Sequence, residues 1–166
     1  MNKLLIYYIL LCSPIILFSQ TNYDQSTVEG TTSALLDIIS GDIGEKRDWD
    51  GFRSLFIPTA QFVFVNEDAP PNKRTTSYNL EQFVRFVGPN YAQNGFKEVA
   101  TGLVVNEWNG IASAFQSYTA KNLTGTYNES GINNYQLVKV KGKWFVTSLT
   151  WANADEANPI PKVFLR

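Results

Sequence analysis

Apolar positions recur along this chain first at helical and then at strand spacing. From Thr27 the pattern is helical: Val28, Thr32, Leu35, Leu36 and Ile39 fall on one face of a roughly 3.6-residue period, and Gly41 is placed to stop the helix. Asp48 reads as the N-cap of a short second helix that carries Trp49, Phe52, Leu55 and Phe56 inward. Pro58 is expected to end it, because a proline steers the residue before it out of the α region. Residues 61–66 read as a short strand, residues 67–73 as a turn, and residues 75–78 as a return strand. Asn79 followed by Gln82 is a capping-box pattern, which opens a third helix with Leu80, Phe83, Val84 and Val87 inward. Gly88-Pro89 is expected to break that helix.

The remainder alternates as strands do, in runs over residues 96–108, 111–123, 132–140 and 143–152. Asn109-Gly110 and Lys141-Gly142 separate two pairs of these runs and predict tight hairpin turns. Helices first and antiparallel strands afterwards define an α+β class. A two-residue turn at Lys141-Gly142 would pair Lys139 with Trp144, Leu137 with Val146, Tyr135 with Ser148 and Asn133 with Thr150. Phe145, Leu149 and Trp151 then share the opposite face, where they need cover. Homodimerisation through that sheet face would supply it. So would residues 158–166, with Val163, Phe164 and Leu165, folding back across the surface.

The first residues stand apart from this pattern. Lys3, an apolar run to Phe18, and then Ser19 and Gln20 have the order of a secretory signal peptide. Residues 1–20 are therefore expected to be removed, leaving residues 21–166 as a single exported domain, periplasmic or secreted, with no membrane segment. Cys12, the one cysteine, lies in that leader, so the mature chain has no thiol for a disulfide or a thiolate site. Fourteen basic residues less Lys3 face fifteen acidic ones, a near balance that points away from nucleic acid. Asn122-Leu-Thr124 and Asn128-Glu-Ser130 match the N-glycosylation pattern, which matters only in a eukaryotic source.

The run Arg47-Asp48-Trp49-Asp50-Gly51-Phe52-Arg53-Ser54-Leu55-Phe56 leading into Pro58 and Ala60 resembles the opening of SnoaL-like proteins of the nuclear transport factor 2-like (NTF2-like) superfamily. Gly131-Ile132-Asn133, Gln136-Leu137, Gly142-Lys143-Trp144 to Trp151 and Asn158-Pro159-Ile160-Pro161 resemble the closing part of the same group. The resemblance implies an NTF2-like (cystatin-like) α+β fold. In it a curved antiparallel sheet wraps N-terminal helices into a cone with a cavity at its wide end. Members range from isomerases and dehydratases to non-catalytic subunits, so fold does not select chemistry.

The chain has no histidine. That removes Ser-His-Asp and Cys-His nucleophile systems, imidazole bases and histidine-bearing metal sites. The spacing of Asp42, Glu45, Asp48 and Asp50 does not fit an EF-hand loop, and no metal or cofactor is expected. A carboxylate base would have to be Glu98, Asp37 or Asp50. The pocket candidates are Trp49, Arg53, Gln116, Tyr118, Asn133, Tyr135, Ser148 and Thr150, with Trp144 as further apolar wall. Arg53 suits an anion or a neighbouring aspartate; Tyr118 suits a ligand carbonyl or a satisfied core position. With no convincing acid–base pair, the leading reading is a non-catalytic module that binds a small apolar or mixed ligand or serves a dimer. A lyase or isomerase acting on a carbonyl-bearing small molecule, with Tyr118 and a carboxylate as acid and base, is the alternative. A protein-interaction domain is the third.

Overall fold

The computed structural model describes residues 23–66 and 69–166, and the expected leader lies outside them. Helix α1 (Val28–Ile39) is capped by Thr27, whose side chain accepts from the Gly30 N–H, and closed at Ser40. Helix α2 (Trp49–Ser54) starts at Asp48, whose carboxylate accepts from the Gly51 N–H. Strand β1 (Phe56–Val65) follows, then strand β2 (Thr75–Asn79), helix α3 (Leu80–Asn94) and four strands: β3 (Lys97–Trp108), β4 (Ile111–Lys121), β5 (Asn128–Val140) and β6 (Lys143–Asn153). The hairpin turns are as the dipeptides require. Asn109 and Gly110 have φ of 46° and 82°, and Lys141 and Gly142 have 49° and 82°, the left-handed pair of a primed turn.

The strands form one curved six-stranded sheet in the order β2-β1-β6-β5-β4-β3. It is mixed, not wholly antiparallel as expected, because β1 runs parallel to β6. Tight turns force antiparallel neighbours, and the whole β3–β6 meander separates β1 from β6, leaving their direction unconstrained. The concave face packs on the helices around a core that includes Leu35, Phe52, Leu55, Phe62, Phe83, Trp144 and Val146. Phe62 lies 4.3 Å from Phe83 and 5.0 Å from Phe56 between ring centroids.

Two prolines do not break what they were expected to break. Pro58 sits inside β1 rather than ending α2, in the stretch between Phe56 and Gln61 that pairs with neither β2 nor β6, so its missing N–H costs no ladder hydrogen bond. Pro89 lies inside α3, which continues to Asn94. An interior proline costs about 3 kcal/mol, but Pro89 and Arg85 are both exposed, so water can serve the freed carbonyl. Beyond it Tyr91 stacks on Phe96 at 4.2 Å, which holds the last turns in place.

The third correction governs the site. Lys139 pairs with Trp144 and Leu137 with Val146, as the turn requires, but the register then shifts by one residue. Thr147 is the extra residue of a β-bulge, and its hydroxyl donates to Gln136 O at 3.1 Å. Tyr135 consequently pairs with Leu149, and Asn133 with Trp151, not with Ser148 and Thr150. The bulge exchanges the faces of everything after it: Leu149 and Trp151 turn inward, Ser148 and Thr150 outward.

Residues 162–166 lie across the outer face of β3 and β4. Phe164 stacks on Phe115 at 4.9 Å, Ser117 Oγ donates to Phe164 O at 2.7 Å, and the Leu103 N–H donates to Arg166 O at 3.0 Å. Gly102 makes room for this segment, since a side chain there would meet the backbone of Phe164, Leu165 and Arg166. Gly102→Val is accordingly expected to release residues 162–166 and to speed tryptic cleavage after Lys162 about tenfold, with the rest of the fold retained. Unchanged cleavage would show that the segment is held by other contacts.

Candidate functional site

The cone encloses a cavity of about 630 Å³, within the range of small-molecule sites. Its floor is apolar and aromatic: Leu35, Leu36 and Ile39 from α1, Phe52, Phe56 and Phe96, and Leu149 and Trp151 from β6. Exposed lining residues Thr76, Phe86, Asn90 and Thr126 mark the rim. Phe86, 63% exposed, stacks on Tyr78 at 5.1 Å there.

The polar part of the wall centres on Glu98. Ser40, the residue that closes α1, fixes its backbone: the Glu98 N–H donates to Ser40 Oγ at 3.0 Å, and Ser40 Oγ lies 3.3 Å from Glu98 O. The side chain points into the cavity, where Asn133 Nδ2 donates to Oε1 at 2.7 Å. Burial pushes the Glu98 carboxyl up to about 7, against the opposing pull of the Asn133 hydrogen bond. Four phenols surround it closely enough to feel its charge: Tyr91, Tyr118, Tyr127 and Tyr135. Burial raises all four, Tyr127 to about 12, so they remain neutral hydroxyls at ordinary pH. The Tyr118 hydroxyl donates to Asn153 Oδ1 at 2.9 Å and that of Tyr135 to Gln116 Oε1 at 3.1 Å. Gly131 stands opposite Tyr118 in the sheet, and the phenol lies in the space a side chain would take.

Of the eight residues singled out by sequence, Tyr118, Asn133 and Tyr135 line the cavity. Gln116 is buried behind Tyr135 as its acceptor. Trp49 packs outside the wall, edge-on to Phe52 at 5.6 Å and stacked on Tyr91 at 6.5 Å. Arg53 faces away and forks onto Glu81, at 2.7 and 3.0 Å, with Asp50 at 3.1 Å; the two acids hold it at the α2–α3 surface. Ser148 and Thr150 are on the outer face because of the bulge at Thr147. Trp144 is buried away from the cavity, with Gln25 bonding its backbone on both sides. Asp37 and Asp50 are exposed, which leaves Glu98 as the carboxylate of the wall. Sequence reasoning did not reach Tyr91, Tyr127 or Asn153 as lining residues. Extending β6 past residue 152 would have put Asn153 on the outer face with Trp151, because only the bulge at Thr147 turns both inward.

The sequence matches no protein-family profile and no curated protein. Its structure resembles many solved ones. A candidate dehydratase of the NTF2-like family from Streptomyces avermitilis superposes with a TM-score of 0.60 at 13% identity, over 79% of this chain and 96% of that one. A candidate scytalone dehydratase from Novosphingobium aromaticivorans gives 0.60 at 10% identity, over 77% and 82%. An NTF2-like protein of unknown function from Pseudomonas putida gives 0.60 at 10% identity, over 82% and 92%. The chain has the NTF2-like fold, an α+β cone whose neighbours are also described as cystatin-like. At these identities the likeness is one of fold, and nothing in it singles out the SnoaL-like group.

Proposed function

We propose that the protein is an exported module that binds a small, mainly apolar molecule in its cone. The observation that carries this reading is the cavity itself: about 630 Å³, walled largely by aromatic and aliphatic side chains, with a buried carboxylate, Glu98, in its wall. A site built only for packing would be filled by its own side chains. Export rests on the leader pattern at residues 1–20.

Native mass spectrometry of protein purified from its own host tests the reading. The expected result is a small-molecule adduct that disappears on denaturation and is absent from Leu149→Trp, where an indole enters the cavity. Bare protein, or an adduct that persists in the folded variant, would overturn it. The same spectrum reports a dimer. Homodimerisation through the outer sheet face lost part of its basis when Leu149 and Trp151 proved to face inward. It now rests on the row Trp108, Ile111, Val138 and Phe145, of which Trp108 is 74% and Ile111 57% exposed.

A second reading is favoured by one observation, the Glu98 carboxyl near neutrality inside an apolar cavity. A group at about 7 can give or take a proton at working pH, as a lyase or isomerase requires, and two structural neighbours are described as candidate dehydratases. Against it, Tyr118 is committed to Asn153 and Glu98 to Asn133, so the pair is not joined directly. Binding without turnover therefore comes first.

A further inference from the structure

We propose that the molecule the cavity takes is an organic amine in its protonated form, its apolar ring-bearing body against the aromatic wall and its ammonium on the Glu98 carboxylate. The inference rests on the cavity being a ligand site, as proposed above, and adds the ligand's charge and polar group.

Charge is the first argument. Among the described residues the wall holds one carboxylate and no lysine or arginine. Arg47, whose charge reaches Tyr91, lies outside the wall, with its guanidinium on the backbone carbonyls of Ile39, Glu45 and Tyr91. A second acid, Glu129, reaches Tyr118 and Tyr127 with its charge. An anionic ligand would enter an apolar space that offers repulsion and no counter-charge, at a large desolvation cost. A cation meets an anion there.

Hydrogen-bond direction is the second. Around Glu98 three hydrogens are already committed: the Tyr118 hydroxyl to Asn153, the Tyr135 hydroxyl to Gln116, and one Asn133 amide hydrogen to Glu98 Oε1. Asn153 is further engaged with Tyr127. The Tyr91 and Tyr127 hydroxyls also line the cavity, and the strongest acceptor left in it is Glu98 Oε2, which receives no hydrogen bond among the described residues. An ammonium brings three donors and no acceptor. A carbonyl brings the reverse.

The third is the ring faces. Tyr91, Phe96 and Tyr127 form a run of neighbouring rings, with centroids 4.2 and 6.2 Å apart, in the part of the wall that holds Glu98. A desolvated ammonium is attracted to such faces as well as to the carboxylate. A cation arriving beside Glu98 favours its ionised form.

Isothermal titration calorimetry at pH 7.5 with three probes on one skeleton separates the possibilities: 2-(2-naphthyl)ethylamine, 2-(2-naphthyl)ethanol and 2-naphthylacetate. The amine is expected to bind about tenfold or more tightly than the alcohol, with the carboxylate weakest. Glu98→Gln keeps the acceptor for Asn133. It is expected to weaken the amine about tenfold while leaving the alcohol within about threefold. An alcohol that binds as well as the amine, or amine binding indifferent to Glu98→Gln, would overturn the inference while sparing the ligand site. If none of the three binds the folded protein, the ligand-site reading fails and takes the inference with it.

Discussion

Phe62→Ala is expected to destabilise the protein by about 3–5 kcal/mol, the range for truncating a buried aromatic. Phe62 is 0% exposed and lies where α2, β1 and α3 meet. Its ring stacks on Phe83 at 4.3 Å, tilts against Phe56 at 5.0 Å and faces Phe52 at 6.3 Å. These three neighbours also line the cavity, so the loss is transmitted to the site. The hole left behind cannot collapse easily, because Phe52, Phe56 and Phe83 are each fixed by their own backbone elements. Urea denaturation gives the measurement: a fall in midpoint at unchanged slope. A loss below about 1.5 kcal/mol would mean that the ring cluster relaxes into the space and is not the structural centre of the fold.

Stability should also fall as pH rises from about 4.5 to about 7, and Glu98→Gln should abolish that fall. The folded pKa of Glu98 is raised from its ordinary value of 4.5 to about 7. Between those values the folded chain holds a proton that the unfolded chain has released, so raising the pH favours unfolding. Below 4.5 the group is neutral in both states, and above 7 it is charged in both. The full shift corresponds to about 3 kcal/mol, and partial access to solvent through the cavity trims it to about 2–3 kcal/mol. The groups facing Glu98 do not confuse the window. Tyr91 from α3, Tyr118 from β4, Tyr127 from the segment before β5 and Tyr135 from β5 stay neutral throughout. Lys97, beside it in β3, turns to Asp42 at 2.9 Å. Asp24, Glu81 and Asp155 have lowered values, so their contributions are lost only at more acid pH. Paired melts at pH 5 and pH 8 decide it: equal slopes for wild type and variant would place the Glu98 carboxyl in water.

The sequence made the local structure legible wherever chemistry is local. Asp48 and the Asn79–Gln82 pair cap the helices they were read to cap. Asn109-Gly110 and Lys141-Gly142 turn the hairpins they were read to turn. Half of the register of β5 and β6 followed from the second of these turns. The rest did not, because Thr147-Ser148 is a polar pair that either face accepts; the bulge is decided by burial of Leu149 and Trp151 against the helices. Pro89 was misread for a similar reason, since the stack of Tyr91 on Phe96 is a tertiary contact invisible in the helical period. Glu98 could be named as a possible carboxylate, yet its side-chain partner Asn133 comes from β5, two strands away across a curved sheet. Trp49 and Arg53 were drawn to the pocket by residue type alone. Their actual neighbours, Tyr91 and Glu81, both lie in α3, on the far side of the β1–β2 hairpin in sequence.

The bulge at Thr147 makes the character of the cone depend on counting rather than on identity. Pairing Thr147 into the ladder instead of bulging it out would leave every amino acid in place and still swap an indole and an isobutyl group for two hydroxyls along the β6 wall. Descendants of one ancestral gene could thus diverge from greasy to wet interiors by flattening the bulge, without passing through any point substitution in the lining. Column-by-column comparison of related pockets would then equate side chains that stand back to back.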